Sequence, residues 1–149
     1  MTTAREIMNK KVISMDVTVS ALEVAKIMDK NRVSCVVLTK DDKPYGIVTE
    51  RDLVTKIVSQ NKRPAELGSK DIMTGPVTLV SPLTPIEQVA EKMSTNKVRH
   101  IVVADDEQPV GLITVTDFAK HLNTILAGTE GYNREFYDSL FEEWEYLSG

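Results

Sequence analysis

The sequence predicts an α+β fold of the α/β two-layer kind: two β-α-β-β-α units packed about a pseudo-two-fold axis, followed by a C-terminal helix. Three observations predict it. The chain repeats at a constant offset of 65 residues, so that Gly46-Ile-Val-Thr49-Glu-Arg-Asp52 returns as Gly111-Leu-Ile-Thr114-Val-Thr-Asp117. Val24-Ala25 and Met28 return likewise as Val89-Ala90 and Met93, Asn31 and Val33 as Asn96 and Val98, and Ile7-Met8 as Ile72-Met73. A period this long marks a duplicated small domain, because solenoid repeats run at about 20–50 residues. Each copy also carries a helix-start signal followed by apolar residues at helical spacing, then two β-prone runs around a turn. Neither copy alone would bury enough apolar surface for comfortable stability, so the copies are expected to share a core.

Taken in order, Thr3-x-x-Glu6 reads as a capping box opening a short helix through Met8, and Val12–Val19 as extended chain. Ser20-x-x-Glu23 is a second capping box, after which Ala21, Val24, Ala25 and Met28 share one helical face and Asn31 serves as a left-handed terminator. Val33–Leu38 is a buried strand, Asp41–Pro44 a turn and Tyr45–Val48 the returning strand. Thr49 opens a helix whose Leu53, Val54, Ile57 and Val58 form an apolar stripe, and residues 61–68 are the linker. In the second copy Ser69 opens a short helix to Met73, and 77–80 is extended. Thr84 caps a helix with Pro85 first and Glu87 third, and Ile86, Val89, Ala90 and Met93 form its buried face. Strands at 98–103 and 110–113 flank the turn 105–109, and a last helix runs to about Ala127 with Gly128 beyond it. The expected division is therefore 1–62, 69–128 and a separate tail, 129–149.

Composition narrows the function. Hydrophobic content of 42% and charged content of 27% are ordinary for a globular fold, and no apolar run is long enough to span a bilayer. The single cysteine, Cys35, excludes an intramolecular disulfide and sits in an apolar strand run, as a small buried hydrophobe would. A cytoplasmic location without membrane partners is expected. The net charge of −4 divides into −5 after Gly128 and about +1 before it, which gives no clustered basic face for nucleic acid.

The repeated Gly-h-h-Thr-x-x-Asp, with h apolar, sits where a strand enters a helix. Its plain meaning is a helix cap: Thr49 with Asp52 and Thr114 with Asp117 are capping boxes, and Gly46 and Gly111 permit close strand approach. The same atoms also suit a nucleotide. A helix start presents N–H groups and partial positive charge to phosphate, the threonine hydroxyl adds a donor, and a carboxylate one turn on can accept both hydroxyls of a ribose.

These residues carry a resemblance. Paired copies with Ile-Met, then Val-Ala…Met, then Val-Ser-Cys-Val-Val or Val-Arg-His-Ile-Val-Val, then Gly-Ile-Val-Thr-Glu-Arg-Asp resemble a tandem pair of CBS (cystathionine β-synthase) domains, the Bateman module, over roughly 5–127. The resemblance implies two clefts between the copies that take AMP, ADP, ATP or S-adenosylmethionine, with Asp on the ribose and Thr on the phosphate. It places Thr49 and Asp52 in one cleft, with adenine contacts from Val77-Thr78 and Val98-Arg99. It places Thr114 and Asp117 in the other, with contacts near Ile13 and Val33-Ser34.

The clefts are not equivalent. Arg51 lies in the first motif, and Arg99 and His100 enter the same cleft from the second copy; the other cleft has Thr116 for Arg51 and Ser34-Cys35 for Arg99-His100. Thr49, Arg51, Asp52, Arg99 and His100 are therefore expected to form the better phosphate site, each charge-assisted hydrogen bond being worth about 1.5–3 kcal/mol. Nothing points to catalysis: the two histidines, His100 and His121, belong to no metal-ligand spacing, no nucleophile motif is present, and Asp52 and Asp117 belong to separate clefts. No obligatory cofactor is implied.

The tail holds six of the eight aromatics, and Phe136, Tyr137, Leu140, Phe141, Trp144 and Leu147 share one face of a helix expected over 133–147. It is expected to dock on its own module, on a dimer partner, or on a regulated protein. The stripes Leu53/Val54/Ile57 and Phe118/Leu122/Ile125 are expected to make a homodimer. The whole reads as a regulatory module that binds an adenine nucleotide and transmits the ligand state to a partner protein. The alternatives are a scaffold subunit with vestigial clefts and an S-adenosylmethionine-binding module.

Overall fold

A computed structural model of the chain describes residues 2–127. The expected tail helix, the Gly128 cap and the side chain of Ile125 lie outside the described residues. The first copy contains α1 (Ala4–Ile7), β1 (Ser14–Asp16), α2 (Ala21–Asn31), β2 (Cys35–Lys40), β3 (Lys43–Thr49) and α3 (Glu50–Leu53), which runs on as a π-turn, Val54–Val58. The second contains α4 (Ser69–Ile72), β4 (Leu79–Val80), α5 (Ile86–Asn96), β5 (His100–Asp105), β6 (Gln108–Thr114) and α6 (Val115–Ala127). The expected β-α-β-β-α order appears twice, as two three-stranded sheets ordered β1-β2-β3 and β4-β5-β6. In each the first strand runs parallel to the second, through a helical crossover, and the second pairs antiparallel with the third.

Local chemistry explains most boundaries. Ser20 caps α2 reciprocally: its hydroxyl accepts from Glu23 N–H at 3.1 Å, and Glu23 accepts from Ser20 N–H at 2.7 Å. The hairpins turn on Asp41-Asp42 and Asp106-Glu107, all four with positive φ, the type I′ geometry that matches strand twist. Several expectations shift. The left-handed cap of α2 is Arg32, not Asn31, which remains helical and donates to Ile27 O; Lys97 is the matching cap of α5. Thr84 does not cap α5: Pro85 does, and the Thr84 hydroxyl accepts from Ser81 N–H instead. Ala90 is exposed, whereas Ala25 is half-buried, because α2 is also covered by α4 and the short turn Pro64–Glu66. The stripe after Thr49 is only partly covered: Ile57 is buried and Leu53 half-buried, but Val54 and Val58 are 56% and 72% exposed.

The sequence repeat and the packing unit differ in one element. Helix α1, from the first copy, packs on the second sheet, where Ala4 is fully buried beside Val89, Ile101 and Ile113. Helix α4 returns to the first sheet, where Ile72 joins Val36, Leu38 and Val48. Bridges Asn9–Leu112 and Ile47–Thr74 pin these exchanged segments to the far edges. This explains Gly46 and Gly111, the close approach being that of the exchanged segment. A Cβ on Gly111 would overlap Met8, and one on Gly46 would overlap Met73.

Strand alternation then builds a shared core. Val36 and Leu38 face the helices of their own unit, while Cys35 and Val37 face the other copy and meet Ile47, Val102 and Leu112. Burial pushes the Cys35 thiol up to about 11, so it is an unreactive apolar group at neutral pH.

Candidate functional site

At the joint between the copies lies a cavity of about 490 Å³. Thr49, Arg51 and Asp52 reach it from the first copy's strand–helix corner, and Val77, Thr78, Val98, Arg99 and His100 from the second copy. These are the eight residues expected in the first cleft. Ser34, Thr114 and Thr116, expected in the second, line this same cavity. The reason is register: Thr114 is the β-partner of His100, and Ser34 accepts from Glu50 N–H, so each follows its neighbour to the joint. Ile13 and Val33 instead pack half-buried on the first core, and neither they nor Asp117 line this cavity.

The corner itself is tightly tied. Asp52, 5% exposed, accepts on Oδ2 from Thr49 N–H at 2.9 Å and Thr49 Oγ1 at 3.1 Å, while its own N–H donates to that hydroxyl. Its Oδ1 accepts from Thr74 Oγ1 at 3.1 Å and pairs with Lys56 Nζ at 2.9 Å. The N–H of Glu50 goes to Ser34 O. The corner N–H groups expected to meet a phosphate are thus largely engaged by the chain itself. Arg51, Arg99 and Lys97 are the exposed cations at the cavity, with Glu50 and Asp52 the acids.

His100 does not belong with those cations. It is half-buried and shares a strand face with Val102, which points into the joint. Burial lowers its pKa, with Asp52 pulling upward and Arg99 pushing further down, so it enters the cleft as a neutral imidazole at neutral pH. It offers one donor and one acceptor there rather than a charge.

The second corner repeats the cap with different support. Asp117 Oδ2 accepts from Thr114 N–H at 2.7 Å and Thr114 Oγ1 at 3.2 Å. Burial raises the Asp117 pKa, opposed by those two bonds and by Lys120. At the position matching Lys56 stands His121, whose Nε2 is buried with no hydrogen-bond partner among the described residues.

Lys56, Thr74 and Lys97 are among the participants that escaped the sequence reading. Lys56 follows Asp52 by one helical turn, the spacing of an i,i+4 ion pair, and that spacing was the available signal. Thr74 follows the repeated Ile-Met, and Lys97 follows the helix-ending Asn96; neither carries a signal of its own. Among the described residues no group of three or more His, Cys, Asp or Glu could hold a metal ion, and no helix is long and apolar enough to cross a membrane.

Fold and cleft together define a pair of duplicated α/β domains whose cavity is built by both copies. The CBS domain family model matches residues 4–59 and 70–124, and the chain belongs to the CBS domain family. An uncharacterised protein of Methanopyrus kandleri is 33% identical over 137 residues, covering 91% of this chain and 70% of its own length. Another, from Methanocaldococcus jannaschii, is 29% identical over 74% of this chain, which spans only 61% of that relative. The solved CBS domain pair of protein MJ0100, in complex with 5′-methylthioadenosine and S-adenosyl-L-methionine, aligns at a TM-score of 0.73 and 28% identity, over 84% of this chain and 98% of its own.

Proposed function

We propose that the chain is a regulatory module that binds an adenosine phosphate in the cleft of Thr49 and Asp52 and reports it to a partner protein without catalysing a reaction. The observation that carries this reading is the meeting, in one cavity, of the Thr49/Asp52 corner of one copy with Arg99 of the other. A ligand spanning the two would favour one relative placement of the copies, and a placement that a partner reads is a signal. Asp52 would take the ribose, Arg51 and Arg99 the phosphates, and Val77, Thr78 and Val98 the adenine. Ile13, Val33, Ser34, Thr114, Thr116 and Asp117 would serve a second, less cationic site. The adenosine-type ligands of MJ0100 support the ligand class and favour S-adenosylmethionine as a second reading, one suited to the Asp117 corner, which lacks a counterpart of Arg51. The exposed Val54 and Val58 would be covered by a second copy, making a homodimer.

A thermal-shift panel of AMP, ADP, ATP, S-adenosylmethionine and adenosine tests this. A ligand at 100 times its dissociation constant stabilises the fold by about 2.7 kcal/mol when it binds only the native form. A shift with AMP, ADP or ATP that Arg99→Ala diminishes supports the reading. A shift with S-adenosylmethionine alone selects the second reading, and none with any compound leaves the scaffold alternative.

A further inference from the structure

We infer that Lys56 is a positioning residue that fixes which charge class of nucleoside the first cleft accepts, by neutralising Asp52 from behind. The inference rests on the adenosine-phosphate reading above and adds a determinant that does not touch the ligand.

Lys56 Nζ has three acceptors: Asp52 Oδ1 at 2.9 Å, Ile72 O at 3.0 Å and Met73 O at 3.2 Å. An ammonium has three N–H donors, so the group is fully satisfied and its position over-determined. It does not line the cavity. It shares Asp52 Oδ1 with Thr74, while Thr49 holds Oδ2, and of these three partners only the two threonines line the cavity. The two carbonyls it holds end helix α4, the exchanged segment, so the charge is fixed by the element that ties the copies together.

The consequence is electrostatic. A ribose seated on Asp52 brings its phosphate within several ångströms of that carboxylate. A bare buried carboxylate would repel the phosphate, and the low local dielectric would enlarge the effect. With Lys56 in contact, the Asp52–Lys56 pair is close to neutral seen from the cleft, which leaves Arg51, Arg99 and Lys97 unopposed by Asp52. Asp52 still has lone pairs to offer the sugar once Thr74, whose hydroxyl is a rotatable donor, turns away.

The other corner supplies the contrast within one chain. The repeat puts His121 where Lys56 stands, and its Nε2 meets no partner among the described residues. Lys120 acts on Asp117 from the neighbouring position, but no lysine stands at the repeat position of Lys56, so the contact ion pair found at Asp52 has no counterpart in sequence there.

The test titrates AMP and adenosine calorimetrically into the full chain, wild type and Lys56→Gln; glutamine keeps a donor for the α4 carbonyls and removes the charge. The expected result is that wild type prefers AMP, and that Lys56→Gln lowers the AMP-to-adenosine affinity ratio by about tenfold, the effect of removing one charge about 12 Å from the phosphate at an effective dielectric near 20. Lys56→Arg is expected to retain the wild-type ratio. Should Lys56→Gln lack native circular dichroism, Lys56→Met and Lys56→Arg are compared in the same way, with the ratio again falling only where the charge is gone. Equal loss of AMP and adenosine in the neutral variants, or a wild type that does not distinguish them, overturns this inference and leaves the nucleotide-site reading standing. A wild type that binds neither compound overturns this inference, and one that also fails to bind ADP and ATP overturns the nucleotide-site reading as well.

Discussion

The two strand–helix corners, 49–56 and 114–121, have the same backbone cap and different chemistry behind it. In each, a threonine N–H and hydroxyl bind the aspartate three residues on. Behind Asp52 stand Lys56 and Thr74; behind Asp117 the same repeat positions hold His121 and Asn9. Duplication preserved what folding needs, a capped helix start, while the positions one turn on and in the exchanged segment diverged. In a duplicated module the cap motif therefore marks where a ligand could sit, and its supporting shell says which ligand.

The largest expected contrast is in stability. Asp52→Ala removes an acceptor that holds four donors and leaves Lys56 half-covered without its counter-ion, a loss of about 2–3 kcal/mol in urea denaturation. Asp117→Ala removes a cap and should cost about 1 kcal/mol. Equal losses would show that Lys56 and Thr74 contribute nothing at the first corner. The next contrast uses the glycines. A Cβ on Gly111 meets Met8 at Cβ, Cγ and Sδ, whereas on Gly46 the nearest group is the flexible Met73 thioether. Gly111→Ala is therefore expected to cost about 2 kcal/mol and Gly46→Ala about 1 kcal/mol, and the reverse order would place the exchanged helices wrongly.

The smallest contrast is in pH dependence. His100 has a lowered native pKa, so the unfolded chain takes up its proton first as pH falls below the ordinary 6.5. Stability from the neutral imidazole is thus present at neutral pH and declines as pH falls from there towards the lowered native value. Asp117 works oppositely: with its native pKa raised, its contribution is fully present below the ordinary 3.8 and is lost as pH rises through the raised value. His100→Gln should flatten the fall in stability that begins as pH drops below the ordinary 6.5. Asp117→Asn should instead remove the gain on acidification, and curves of unchanged slope would place both groups in water.

Much of the fold was legible because the 65-residue offset let each weak local signal be read twice. The Thr49/Asp52 corner followed from that same repeat, and its cross-copy partners, Val77 to His100, from the resemblance to paired CBS domains. The exchange of α1 and α4 did not, since Ile7-Met8 and Ile72-Met73 offer the same apolar pair and either sheet would accept either one. The half-buried setting of His100 was not legible, because strand alternation gives its face but not whether that face is wet. That Ser34, Thr114 and Thr116 also line the first cavity was not legible, because the register at the joint brings both copies' strand ends together, a three-dimensional fact with no trace in spacing.

The most direct test of the central claim is a crystal structure of the chain soaked with AMP. The account predicts ordered density for a ribose against Asp52 and a phosphate against Arg99, with the Lys56–Asp52 pair intact. Density showing only water in the grooves at saturating AMP would contradict it.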